Sequence, residues 1–408
     1  MPLRGVLAEK HPFNQRSAYK VAVSITATTS VTLPVFLTGA LAVQVRQSLH
    51  FSVTGLGVLV ASFFAAASLV SVFAGALAER LGGERIMRAC ALSVALLLFG
   101  IAAFGRSYPA MLVFLVLAGF TNGTMQPAVN LFVIDAVPPG RRGFALGVKQ
   151  AAIPVSTLFA GLAVPAIALT IGWEYAYAFA GVVALLVLAA VPPGRSTGIV
   201  RSGGDARNRP RIALAPIITL AAAMALGAGA ANALGAFLVE NAVHTGFSPS
   251  DAGLVAAFGS ACGLVSRLVG GAMADRRGGR HLPVIAGMVG LGAVGYAALA
   301  LQNYWLVIPA TAIAYAAGWG WNGVFNFAII VNHPGAEGRA TGTTQAGAFI
   351  GSVVGPLAFG YAVDHLSFAW AWSLTSLTAL LAAGGMLLGR RLLLRQRERG
   401  ATTITVVG

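Results

Sequence analysis

The segment Gly75-Ala-Leu-Ala-Glu-Arg-Leu-Gly-Gly-Glu-Arg85 joins two long apolar runs, and it returns 196 residues later as Gly271-Ala-Met-Ala-Asp-Arg-Arg-Gly-Gly-Arg280. No other feature constrains the fold as much: the chain is a duplication, so both halves must be built to one plan. Each copy sets a glycine (Gly75, Gly271) four residues before an acid (Glu79, Asp275), then an arginine (Arg80, Arg276), glycines and a further arginine (Arg85, Arg280). Arginines just past a helix end sit well with its unpaired carbonyls and with anionic headgroups. A glycine there lets a neighbouring helix come close. The acid can pair with an arginine or with the start of an adjacent helix, a contact that one conformation makes and another breaks.

Further echoes extend the repeat. Phe51-Ser-Val-Thr-Gly-Leu-Gly57 returns as Phe247-Ser-Pro-Ser-Asp-Ala-Gly253, Asn122-Gly123 as Asn322-Gly323, and Gly147-Val-Lys-Gln150 as Gly342-Thr-Thr-Gln345. Because the segment that follows Ala40-Leu-Ala42 belongs to this repeat, cleavage there would remove one helix from a matched set, and the tripeptide is not read as the end of a signal peptide.

Composition identifies the solvent. With 57% hydrophobic and 10% charged residues and a mean hydropathy of +0.80, a chain of 408 residues cannot hide its apolar surface from water. The bilayer is its solvent. At about 20 apolar residues per crossing, the sequence predicts an all-α membrane protein with twelve transmembrane helices, near 21–43, 54–78, 86–104, 109–136, 144–170, 174–192, 213–239, 250–274, 282–301, 304–331, 340–363 and 367–389. The polar stretch at 193–212 is then a cytoplasmic linker between six-helix bundles at 1–192 and 213–390, with a cytoplasmic tail at 391–408. Of the 27 Lys and Arg residues, all but Arg46, Arg106, Lys149 and Arg267 fall in the termini, the linker and the loops on the same side. By the positive-inside rule both termini are cytoplasmic. The net charge of +15 is thus spread as topology signals, and no nucleic-acid partner is expected. Cys90 and Cys262 both lie in apolar runs, so neither a disulfide framework nor a metal site is expected, nor any cofactor.

The duplicated loop resembles the motif between helices 2 and 3, and again 8 and 9, of the major facilitator superfamily. The resemblance implies a transporter with two pseudo-symmetric six-helix bundles, a substrate site near the midplane between them, alternating access, and a monomer in the cytoplasmic membrane. The motif residues would then act in conformational gating.

Two cations sit inside apolar spans. Arg267, eight residues before Asp275, lies about 12 Å above the loop at a helical rise. A guanidinium at that depth needs a partner or a watery cavity. Its spacing to Gly271 is similar to that in helix 8 of the monocarboxylate and oxalate/formate transporters, where the arginine binds the substrate carboxylate. Lys149 lies about 10 Å into helix 5. Uncharged polar residues mark the same path: Asn122, Gln126 and Asn130 on one face of helix 4, Asn322 and Asn326 in helix 10, Gln150 and Gln345 at matched positions, Thr28 with Ser24 and Thr32 in helix 1, and Tyr315, Trp319 and Trp321 as a pocket wall. Glue between helices is the plainer role for each amide.

The expected function is secondary active transport of a small organic anion of carboxylate type. Proton coupling stays open, with Asp135 and Glu240 as the acids placed for it; the carboxylate that monocarboxylate transporters carry four residues before their arginine is Gly263 here. Gln126-Pro127, Lys149-Gln150 and Gly172-Trp173 also look like the cyanate and nitroimidazole permease branch. Proton-driven efflux of hydrophobic compounds is the alternative, weakened because Gly147 to Pro165 lacks the antiporter glycine-proline-glycine-glycine motif. A membrane sensor or an intramembrane enzyme is a third: His50, His244, His281, His333 and His365 all lie near span ends, with no carboxylate clustered on them.

Overall fold

In hydrocarbon a backbone N–H or C=O has no water to bond, so each apolar run must satisfy its own peptide groups and does so as a helix. The computed structural model describes residues 15–136, 148–194, 213–274, 281–334 and 336–406. Asp275, Arg276 and Arg280 of the second motif, the linker at 195–212 and the loop at 137–147 lie outside the described residues.

Among the described residues, ten helices are long and apolar enough to cross a membrane. They give span 1 (Gln15–Ala40), 2 (Val53–Leu81), 3 (Gly83–Phe104), 4 (Tyr108–Ala136), 6 (Trp173–Ala190), 7 (Leu214–His244), 8 (Pro249–Ala274), 9 (His281–Ala300), 11 (Glu337–His365) and 12 (Phe368–Val406). The remaining two crossings are interrupted. Span 5 turns at Gln150–Ala151 before Ala152–Ala163 and then widens into a π turn, Val164–Ala168. Span 10 is Tyr304–Ile313, a π turn at Ala314–Trp319, and Asn322–Asn332. The fold is the expected all-α, twelve-crossing architecture.

Two details depart from the sequence reading. A separate short helix, Ala42–Leu49, follows span 1 and ends at His50 with φ of 51°. Span 12 does not stop near 389 but continues to Val406, because its basic segment (Arg390, Arg391, Arg395) is made of good helix formers.

Within the first half, span 2 packs on 4, span 3 on 4 and 6, and span 1 on 4, 5 and 6; in the second, span 7 packs on 11 and 12, and span 9 on 10 and 12. Spans 2 and 11, 5 and 8, and 1 and 7 join the halves. The duplication is visible in detail. Phe51 packs on Tyr108 with ring centroids 5.1 Å apart and tilted planes, and Phe247 stacks on Tyr304 at 4.2 Å, both residues of each pair offset by 196. Gly57 and Gly253, again 196 apart, lie against the partner half, where an added Cβ would meet the carbonyl of Pro356 at 2.6 Å or of Gly161 at 2.7 Å.

These cross-half contacts gather at the end opposite the termini, called here the far end. Gly39 packs on Ala236, Gly360 on Val53, and the Asp364 carboxylate accepts from Val53 N (3.2 Å) and Thr54 N (2.6 Å), capping span 2 from the other half. Arg46 pairs there with Glu240. At the terminus-bearing end, Arg88 Nη1 donates to Leu188 and Val191 carbonyls and so neutralises the negative end of span 6. Gly75 meets nothing: an added Cβ would have no neighbour within 4 Å, against the expectation of a close helix approach. Glu79, Arg80 and Arg85 are exposed, and Glu79 makes no ion pair among the described residues.

Candidate functional site

Lys149 stands where span 5 is broken. Its side chain, 4% exposed, donates from Nζ to Gln126 Oε1 (2.6 Å) and Asn130 Oδ1 (3.0 Å) of span 4, and Gln126 Nε2 in turn donates to Asn122 Oδ1 (3.2 Å). The i, i+4 spacing that put three amides on one face of span 4 therefore builds a chain that ends on the ammonium.

Arg267, 8% exposed, reaches across the halves. Nη1 donates to the Gln150 carbonyl at 2.6 Å and Nη2 to the Trp319 carbonyl at 3.2 Å, while Nε is buried without a partner. Gln150 has a carbonyl to offer because the residue four further on is Pro154, which has no N–H to donate back. Trp319 closes the π turn of span 10. Both cations are thus held by neutral dipoles on either side of one peptide, and among the described residues neither has a carboxylate partner.

Gly259, Gly263 and Arg267 share one face of span 8. The Tyr315 ring fills the space a side chain at 259 would need, since an added Cβ would sit 2.6 Å from it. The ring of Trp319, leaning toward the start of its helix as helical side chains do, meets Phe36 of span 1 edge-on at 5.7 Å, lies 5.5 Å from the Tyr315 ring, and leaves no room for a Cβ at Gly235. An aromatic layer of Phe36, Tyr315 and Trp319 accordingly covers the far-end side of Arg267.

A protein-family model described as the Major Facilitator Superfamily matches residues 22–238 and 217–405. The chain belongs to the Major Facilitator Superfamily. It is similar to the "Probable nitrate/nitrite transporter NarK2" of Mycobacterium tuberculosis, 28% identical over 361 residues, covering 85% of this chain and 90% of that one. An "Uncharacterized MFS-type transporter", Rv2994, of the same organism is 27% identical over 313 residues, covering 74% and 69%. The "Quinolone resistance protein NorA" of Staphylococcus aureus is 27% identical over only 125 residues, 30% of this chain and 29% of that protein. A solved structure, a bacterial homologue of the human lysosomal transporter Spinster in an inward-facing, unoccupied conformation, has a TM-score of 0.70 at 16% identity, covering 94% of this chain and 98% of that one. That last likeness is one of fold.

Within this superfamily member the other expected site residues are placed unevenly. Tyr315 is buried in the aromatic layer; Thr28 is buried with its hydroxyl unpartnered. Asn322 and Asn326 are half-buried and make no side-chain bond that joins them to Arg267. Gln345 is exposed on span 11, and Gln150 takes part through its main chain. Asp135 is exposed at the end of span 4, whereas Glu240 is buried at the far end on Arg46. Gly271 lies in span 8. Sequence reasoning missed Phe36 and the Trp319 carbonyl, for which the chain gives no local sign. Pro154, four residues downstream, does announce the released Gln150 carbonyl, though not the Arg267 that answers it.

Proposed function

We propose that this transporter carries a small oxyanion, with Arg267 and Lys149 supplying the charge and the span 4 amides completing the site. One observation carries the reading: two buried cations face only neutral dipoles, and the guanidinium keeps donors to spare, with Nε buried without any partner. Burying a charge without a counter-charge is costly, and an anion in the site relieves that cost. A guanidinium fork matches two oxygens on one centre, a chemistry that carboxylates share with nitrate and nitrite. The likeness to NarK2 supports the oxyanion class, and the spacing of Arg267 to Gly271 supports carboxylates.

With the termini cytoplasmic, as the distribution of cations favours, the packed far end faces outward. Gly75, Glu79, Arg80 and Arg85, apart in this state, then close the cytoplasmic end in the other. A drug-efflux reading needs a buried acid free to hold a cation and a proton. The buried Glu240 is already paired, and the likeness to NorA covers less than a third of the chain.

Purified protein in liposomes decides the matter. Flux of labelled nitrate, nitrite, formate and larger carboxylates separates the oxyanion classes, and an anion inside the vesicles should accelerate uptake, because returning the loaded site avoids moving two bare cations. Arg267→Gln should abolish flux while leaving a monodisperse protein of unchanged melting temperature. Full flux in that variant removes the anion assignment.

A further inference from the structure

Span 5 has an acceptor out of place. In an unbroken helix the Gln150 carbonyl would bond the N–H of residue 154, but Pro154 has none. What remains from the backbone is a long 3.4 Å bond from Ile153 N, while Ala151 N turns back to Val148 O at 2.9 Å. A buried carbonyl left so poorly satisfied is a strong acceptor. The group that answers it comes from the other half of the molecule, Arg267 Nη1 at 2.6 Å. The other cross-half bonds named above, Arg46 to Glu240 and Asp364 to Val53 and Thr54, lie at the far end; this one lies on the terminus-bearing side.

We infer that Pro154 is a positioning residue which, through the carbonyl it leaves at Gln150, makes Arg267 a latch between the two halves, a latch that competes with an arriving anion for the guanidinium. The inference rests on the reading of Arg267 as the anion contact and adds to it a link between occupancy and movement. Nη1 and Nη2 each give one of their two N–H groups, to Gln150 and to Trp319, so an oxyanion that takes the fork end-on through both Nη groups draws Nη1 from the Gln150 carbonyl. The bond that holds span 5 to span 8 is then lost as the substrate is bound. A charge-assisted bond of this kind changes a two-state population by roughly tenfold or more.

The test is a double-mutant cycle read in the absence of any substrate. Spin labels on Leu77 and Thr343, exposed positions toward the terminus-bearing ends of spans 2 and 11, report the separation of the halves in a background with Cys90 and Cys262 replaced by alanine. Pro154→Ala restores an N–H for Gln150, and Arg267→Gln removes the donor. Each should widen the distance distribution by the same amount, and the double variant should widen it no further. Additive shifts, or no shift in Pro154→Ala, overturn the latch. Binding gives an independent arm: with the guanidinium no longer engaged by Gln150, Pro154→Ala should bind nitrate or formate about tenfold tighter than the parent chain, whereas a proline of merely structural importance would weaken binding or leave it unchanged. If neither anion binds either protein, the anion reading fails, and the cycle still decides whether the latch exists. Melting temperatures of all four proteins guard against a variant that has lost its fold.

Discussion

Lys149 and Arg267 are both cations buried in apolar spans, and they differ in what removing the charge should do. Lys149 bonds side-chain amides of its own half, Gln126 and Asn130. In Lys149→Gln an amide replaces the ammonium, the bonding partners remain, and an uncompensated charge leaves the membrane interior. Stability should therefore hold or rise, since replacing buried charge with neutral groups is often neutral or favourable, while affinity for the anion falls about ten- to a hundredfold, the worth of a bond to a charged group. Melting temperature and equilibrium binding of nitrate or formate on one sample check both signs; a fall in both together makes Lys149 structural. Arg267 was legible in the sequence because an arginine in an apolar run is expensive and must have a use. Its partners were not, because they are main-chain carbonyls on elements 117 and 52 residues away.

At the scale of helices, small residues decide where backbones touch. Gly347, Gly351 and Gly355 of span 11 lie against Ala221, Ala225 and Gly229 of span 7, and a Cβ on Gly351 would run into the Ala225 carbonyl. The segment 351–356 is thus a packing seam. Gly351→Ala should cost about 1–3 kcal/mol as an overpacked site does and lower the melting temperature, whereas Gly75→Ala, with open space around it, should leave that temperature unchanged. Equal melting temperatures for the two variants would mean the seam is looser than described. Span lengths were readable from apolar runs alone: the helix expected at 250–274 is Pro249–Ala274 and that at 174–192 is Trp173–Ala190. The π turns at Val164–Ala168 and Ala314–Trp319 were not, because what a wider turn gains lies in its neighbours and not in its own residues. The basic continuation of span 12 has no apolar run to mark it, since charge ends a membrane crossing although it does not end a helix.

For the whole molecule, the repeat makes the halves alike and the far-end contacts hold them in one of their arrangements. Two of those contacts are electrostatic: Glu240 on Arg46, with side-chain exposures of 9% and 26%, and the Asp364 carboxylate on the first N–H groups of span 2. Burial lowers the Arg46 pKa and the nearby Asp364 raises it, so this cation is steadied by acids from the opposite half. Glu240→Gln leaves Arg46 facing a neutral amide at a partly dry interface, and separating the halves returns it to water. The closed far end should lose about 1.5–3 kcal/mol, toward the lower figure because Arg46 is a quarter exposed. Spin labels on Gln47 and Leu301, exposed positions on opposite halves at that end, should then show a far-separated population that the parent protein lacks. Asp364→Asn, which keeps an acceptor for span 2 but removes the charge, should shift the same distribution less. Distributions that stay unimodal and unmoved in both variants would leave the apolar seams, Gly39 on Ala236 and Gly57 on Pro356, as what closes that end.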